Sequence, residues 1–191
     1  MTLRIIAGTA KGRKLKSVPG DTTRPITDRV KEALFNILAG DVIDSVWWDM
    51  FGGTGAVGIE ALSRGAAFVR FTDLNRVPVD TIKVNLTATR FESRAEAKRA
   101  DAFSLLASHP DRQFHYIYIA PPQYKEMWSQ VLTKLDGNTD WLMDDGWAIA
   151  QIDPKEYKHL ELENLEEFEQ RRYGTTLLVF YEKREKVEIV K

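Results

Sequence analysis

The sequence predicts an α/β fold built on a largely parallel sheet, and three observations carry that expectation. From Val46 onward short β-rich runs alternate with helical patterns, as βαβ units with right-handed crossovers require. A glycine-rich loop sits where the first of these strands turns into its helix. An acid stands at or just beyond the end of each of the first three strands, Asp49, Asp73 and Asp101. Bulk composition agrees. The chain has 191 residues, 43% hydrophobic and 29% charged, enough for one domain with a sizeable core and too apolar to be disordered. No apolar run approaches the roughly 20 residues that span a bilayer. There are no cysteines, which excludes a disulfide scaffold, thiolate zinc sites and cysteine nucleophiles. The N-terminus lacks the apolar stretch of a signal peptide, so a cytoplasmic protein is expected; a monomer is expected as well.

Each element follows from local chemistry. Arg4-Ile5-Ile6-Ala7-Gly8 and Arg13-Lys14-Leu15-Lys16 read as short strands, joined by a Thr9-Ala10-Lys11-Gly12 turn with glycine at the reversal. Strand alternation puts Lys14 and Lys16 on one face and Leu15 on the other. Val18-Pro19-Gly20 breaks the pattern, so residues 1–20 are expected to form an arm and 21–191 the main domain. Pro25 keeps Arg24 extended. Thr27 or Asp28 then caps a helix through Leu38, with Val30, Ala33, Leu34, Ile37 and Leu38 at helical spacing and Ala39-Gly40 ending it. Further strands are expected over 46–50, 68–71, 97–99, 114–119, 147–152 and 175–181. Helices are expected over 56–63, 77–90, 102–108 and 124–135. Residues 160–168 fit neither period, and the helix-poor tail points to an antiparallel hairpin closing one edge. Trp47, Trp48, Trp141 and Trp147 are expected in core and edge packing. His109 and His159 lack metal-ligand spacing, so no metal site is expected.

The net charge of −1 hides a split. Residues 1–31 hold eight Lys or Arg against Asp21 and Asp28, a net +6, and the remaining 160 residues carry −7. A cationic arm on an acidic body is the asymmetry of a chain that touches phosphate at one end, although a solvated hairpin would also carry such charges.

The glycine loop runs Asp49-Met50-Phe51-Gly52-Gly53-Thr54-Gly55-Ala56-Val57-Gly58. Its glycines permit a tight turn and close approach of backbone to a ligand at a helix N-terminus. No lysine follows the last glycine, which excludes a Walker loop. NAD would set its pyrophosphate at the helix and its ribose on Asp73. S-adenosylmethionine has no pyrophosphate but carries an α-amino cation and a sulfonium, and Asp49 suits the cation. Asp101-Ala102 is placed to meet adenine, the carboxylate accepting from its exocyclic amine. The charge argument favours S-adenosylmethionine, with NAD as the alternative.

After the strand ending at Ile119 comes Ala120-Pro121-Pro122-Gln123-Tyr124. Two prolines stiffen this turn, remove two N–H donors and leave carbonyls toward the ligand edge of the sheet. With the glycine loop upstream, the chain resembles the RsmD family of small-subunit ribosomal RNA guanine-N2 methyltransferases. The resemblance rests on Arg4-Ile5-Ile6-Ala7-Gly8 with Lys11-Gly12-Arg13-Lys14-Leu15, on residues 23–36, and on residues 49–66, where the loop extends into Glu60-Ala61-Leu62-Ser63-Arg64-Gly65. It implies a Rossmann-like class I methyltransferase sheet with helices on both faces and a small N-terminal β-hairpin. It also implies S-adenosylmethionine near Asp49, Gly53, Gly55, Asp73 and Asp101, with Phe51, Gly52, Thr54, Leu74 and Ala102 completing the expected contacts. The implied partner is ribosomal RNA or the small ribosomal subunit, engaged through Arg4, Lys11, Arg13, Lys14, Lys16 and Arg24.

One departure bears on chemistry. The family usually reads Asp or Asn, then Pro-Pro-Tyr, at the catalytic turn. This chain has Ala120 in the first place, Gln123 in the fourth and Tyr124 one place later, and His115 replaces an acid earlier in the strand. An exocyclic amine is a poor nucleophile, and the turn orients it by accepting its hydrogens. Ala120 offers only a carbonyl, a loss of about 1.5–3 kcal/mol if nothing replaces the missing acceptor. Gln123 is the expected substitute, and Tyr124 is expected either to stack on the base or to pack at a helix start. An RNA-binding protein that keeps the cofactor but has lost the chemistry is the second hypothesis.

Overall fold

The computed structural model describes residues 3–20 and 26–185. Helices and strands alternate as α1 (Asp28–Leu38), β1 (Val46–Asp49), α2 (Ala56–Ser63), β2 (Phe68–Asp73), α3 (Arg76–Thr89), β3 (Ala95–Arg99), α4 (Ala102–Leu106), β4 (Phe114–Ile119), α5 (Met127–Asp136), β5 (Leu142–Ile152), β6 (Leu165–Tyr173) and β7 (Thr176–Lys183). The strands form one seven-stranded sheet in the order β3-β2-β1-β4-β5-β7-β6. β1 to β5 pair in parallel, and β7 runs antiparallel to both neighbours. The expected edge hairpin is therefore β6–β7.

Strand alternation divides the core into two layers. Trp47 and Trp48 are adjacent in β1, fully buried, and point to opposite faces. Trp47 packs with Leu34 and Phe35 of α1, Ile59 of α2 and Ile82 of α3. Trp48 joins Leu106 of α4 with Trp128 and Leu132 of α5. α1 begins where Thr27 Oγ1 accepts the Val30 N–H (3.3 Å), the capping chemistry its sequence promises. α2 is buried on every side and lies so close to the sheet that a Cβ on Gly58 would fall 2.3 Å from Phe71 Cε1. Any larger residue there would push the glycine-loop helix off β2.

The arm folds as a hairpin joined by one bridge, Arg4 to Lys14, rather than two full strands. Ile5 N–H donates to the Arg13 carbonyl and Leu15 N–H to that of Leu3, each at 2.9 Å. Leu3, Ile5, Ala10 and Leu15 are buried in the same layer as α1 and α2, so the hairpin shares the main core. Its other anchor is Glu60 of α2, whose buried carboxylate accepts the Ile6 and Ala7 N–H groups at 2.9 and 3.0 Å. The same carboxylate pairs with Lys31 Nζ (3.1 Å) and Arg64 Nε (3.0 Å).

Other differences from expectation have local causes. The helix expected from Tyr124 begins at Met127, because Tyr124 and Glu126 have φ of 59° and 53°, outside the helical region. The ambiguous segment becomes β6 from Leu165, and β5 begins at Leu142, five residues early. Helix α4 is shorter than expected, and β2 and β3 extend by two residues each. Arg24 lies outside the described residues.

Candidate active site

The glycine loop is shaped by its own hydrogen bonds. Gly52 N–H donates to the Thr72 carbonyl (2.8 Å), and Gly55 N–H turns back to the Gly52 carbonyl (2.7 Å). Gly53 and Gly55 take positive φ of 52° and 77°, a conformation other residues enter at a cost. A Cβ on Gly53 would meet nothing nearer than 3.9 Å, whereas one on Gly55 would press on Ile59, Ile82 and Phe71. Gly53 therefore lines the opening and Gly55 sets the turn beneath it.

Two carboxylates frame this loop. Asp73 accepts the Gly53 N–H at 3.2 Å and the Asn75 N–H at 2.9 Å. Asp49 is 3% exposed and accepts the Gly58 N–H at 3.2 Å. Burial, reinforced by the charge of Asp73 and opposed by the Gly58 N–H, pushes the Asp49 carboxyl up to about 7. A buried acid held this close to neutrality is a place where an ammonium group would be bound with gain. The α-amino cation of S-adenosylmethionine fits it, and a pyrophosphate does not.

A cleft of about 1110 Å³ opens above the carboxyl ends of β1, β2 and β4, at the edge where open α/β sheets bind ligands. Asp49, Phe51, Gly52, Gly53 and Thr54 line it from the first strand, Asp73 and Leu74 from the second, and Asp101 and Ala102 from the third. Asp101 also caps α4, accepting the Phe103 N–H at 3.1 Å and the Ser104 hydroxyl at 3.0 Å. Ala120, Pro121, Pro122 and Gln123 form the opposite wall. Tyr124 is not brought into the cleft. Its hydroxyl donates to Asp153 Oδ2 (2.9 Å) and its N–H to Glu156 Oε1 (2.6 Å), which holds the ring outside.

The arm approaches this cleft through Ser17, Val18, Pro19 and Gly20, which form part of its rim. Lys11, Lys14 and Lys16 stand exposed, while Arg4 is paired to Asp28 (2.9 Å) and Arg13 donates to the Ala88 carbonyl. Lys31 adds nothing to the surface charge, being fully buried against Glu60. Sequence reasoning missed Asn85, a buried amide in α3. It accepts the Lys16 N–H at 2.7 Å and donates to the carbonyls of Lys16 (3.0 Å) and Thr54 (2.9 Å). One side chain thus ties the arm to the glycine loop. Also missed were Tyr118 and Gln151, which meet on the cleft floor, the tyrosine hydroxyl donating to the amide oxygen. A polar residue in the apolar run Trp147-Ala148-Ile149-Ala150-Gln151-Ile152 was the available signal.

The sheet order, the glycine loop and the acids at its carboxyl edge define a class I methyltransferase fold. The solved structure of yhhF from Escherichia coli shares it with a TM-score of 0.85 at 27% identity, covering 97% of this chain and 100% of that one. The chain belongs to the RsmD family: the family model described as conserved hypothetical protein 95 matches residues 3–182. YlbH of Bacillus subtilis is 35% identical over 184 residues, 95% of this chain and 100% of that protein. Ribosomal RNA small subunit methyltransferase D of Escherichia coli K12 is 36% identical over 149 residues, 78% of this chain and 74% of that one.

Proposed function

We propose that this protein transfers a methyl group from S-adenosyl-L-methionine to N2 of a guanine in small-subunit ribosomal RNA. The observation that carries the proposal is one continuous cleft joining Asp49 and Asp73 to the Ala120–Pro122 turn, with the exit of a cationic arm on its rim. Asp49 would hold the α-amino group, Gly53 the backbone close to the ligand, Asp73 the ribose hydroxyls and Asp101 the adenine amine. When bound, the cofactor would supply an electrophilic methyl group on sulfur for the amine nitrogen, with the carbon–sulfur electron pair left on sulfur and the amine's proton released to water. The carbonyls of the Ala120–Pro122 turn accept an amine hydrogen and so aim the nitrogen lone pair, a contribution of positioning and charge stabilisation.

Incubating the protein with labelled S-adenosylmethionine and undermodified ribosomal RNA or small subunits, followed by nucleoside analysis, tests the proposal. N2-methylguanosine is the expected product, and comparing naked RNA with subunits separates the two substrate forms. No transfer to either, with cofactor and RNA still bound, would leave an RNA-binding protein without the chemistry, the outcome that Ala120 makes a specific alternative.

For RNA, the exposed amines of Lys11, Lys14 and Lys16, with the neighbouring Arg13, supply the phosphate contacts. Replacing all four by alanine is expected to weaken RNA binding and flatten its salt dependence by about 0.7 in log–log slope per lost contact. A filter-binding titration at several salt concentrations reads both, and an unchanged slope would make the hairpin ordinary surface.

A further inference from the structure

The amine to be methylated has two hydrogens to place, and the Ala120–Pro122 turn offers only main-chain carbonyls. A side-chain acceptor beside the turn, on the cleft floor, would complete the set. β1, β4 and β5 lie side by side, with Asp49 paired to Tyr118 and Tyr118 to Ile149. Alternation then puts Asp49, Tyr118, Ala120 and Gln151 on one face of the sheet. Tyr118, Ala120 and Ile149 indeed pack in the same layer of the core. One step beyond the Ile119–Ala150 pair, Ala120 and Gln151 continue their strands as neighbours, and both line the cleft.

Gln151 is held in place. Tyr118 is 2% exposed, and burial, followed by the nearby Asp49 charge, drives its phenol well above the ordinary tyrosine range. The hydroxyl therefore keeps its proton and donates it to the Gln151 amide oxygen. A carboxamide oxygen has two lone pairs, so one remains for a ligand. The methyl side chain of Ala120 lines the cleft beside it, where a longer residue would reach further into the cleft. Gln123, by contrast, stands exposed at the rim.

Resting on the methyltransferase function above, we propose that Gln151, oriented by Tyr118, accepts one hydrogen of the reacting amine in the role that position 120 cannot fill. A carboxamide takes no proton, so the contribution is orientation of the amine between Gln151 and the turn carbonyl.

The test is steady-state kinetics of methyl transfer to undermodified ribosomal RNA or subunits by the full chain, with cofactor affinity measured in parallel. Gln151→Met keeps the shape without the acceptor and Gln151→Ala removes both. Each is expected to lower kcat by about ten- to a hundredfold, the effect of one lost acceptor at a nitrogen becoming cationic, with cofactor Kd within about twofold of wild type. Adding Ala120→Asn to Gln151→Ala is expected to restore at least tenfold of the loss, because an amide then projects from the adjacent strand on the same face. A purely structural Gln151 would not be rescued this way.

Wild-type kcat in Gln151→Met overturns the proposal while leaving the methyltransferase function standing. The same holds if Gln123→Ala abolishes turnover and Gln151→Met does not, which would assign the acceptor to the rim. A large loss of cofactor affinity in Gln151→Met also overturns it, placing the residue on the cofactor. Absence of transfer by the wild-type protein would overturn the function and this role together.

Discussion

Glu60→Ala is expected to destabilise the protein by about 3–5 kcal/mol, the cost of breaking a buried ion pair from one side. Lys31 and Glu60 both have fully buried side chains, 3.1 Å apart. Removing the carboxylate leaves the Lys31 ammonium inside the core with the Arg4 carbonyl as its remaining neighbour. It also strips the Ile6 and Ala7 N–H groups of their acceptor. Both amides are half-buried, so each costs less than the roughly 1–3 kcal/mol of a fully buried unpaired group, and the hairpin would be expected to detach locally rather than leave both unmet. Urea denaturation followed by circular dichroism measures the loss as a shift in midpoint. A cost below about 1 kcal/mol would mean that the cluster does not hold the arm. Glu60→Gln combined with Lys31→Met is expected to recover part of the loss, since it keeps one acceptor oxygen where the carboxylate offered two and removes the stranded charge. Hydrogen exchange at Ile6 and Ala7 should rise in Glu60→Ala before global unfolding does.

The same cluster shows what the sequence could and could not reveal. β4 falls on the expected residues Phe114–Ile119, because a short apolar β-rich run between loops admits few alternatives. Helix α2 matches as well, since the glycines fix its start and Gly65 its end. The ligand edge was legible for the same reason: acids at successive strand ends need only the strands to be right. What escaped were side chains whose meaning lies in distant partners. Glu60 meets Ile6 from 54 residues away and Asn85 meets Lys16 from 69, and no local period records either. Lys31 counts as arm charge in a linear tally yet is buried, because its partner is on another element. Tyr124 reads as the first residue of a helix, but bonds to Asp153 and Glu156 hold it in a left-handed turn. In β6 the acids look like a solvated face. They are instead half-buried, with Glu167 accepting the Tyr157 hydroxyl, and pairing along β7 makes the segment a strand.

Asp49→Asn is expected to separate stability from cofactor binding, raising the first and lowering the second. An ordinary aspartate titrates near 3.9, whereas in the folded protein Asp49 is pushed up to about 7, chiefly by burial. Between those values the folded state holds a proton that the unfolded chain has released, so this carboxyl lowers stability progressively as pH rises from about 4 to about 7. Below the window the effect is absent, and above it the full cost of a buried charge persists. Three units correspond to roughly 4 kcal/mol at most. The ligand-free Asn variant should therefore gain on wild type with rising pH and hold its advantage, roughly 2–4 kcal/mol, above pH 7. Cofactor binding should move the other way. An α-amino cation needs the ionised carboxylate, so wild-type affinity for S-adenosylmethionine should strengthen as pH rises through about 7 and then level. The Asn variant, lacking the charge partner, should lose about thirtyfold or more, the effect of removing one member of a buried charged pair. Thermal unfolding with and without ligand across pH 5.5–8.5 (roughly the span on either side of this titration) reads both effects, with NAD as a control that should leave the melting temperature unmoved. Undiminished S-adenosylmethionine binding by the Asn variant would remove Asp49 from the cofactor site. A ligand-free variant no more stable than wild type at pH 8 would mean instead that Asp49 is ionised at little cost, its charge already met by the Gly58 N–H.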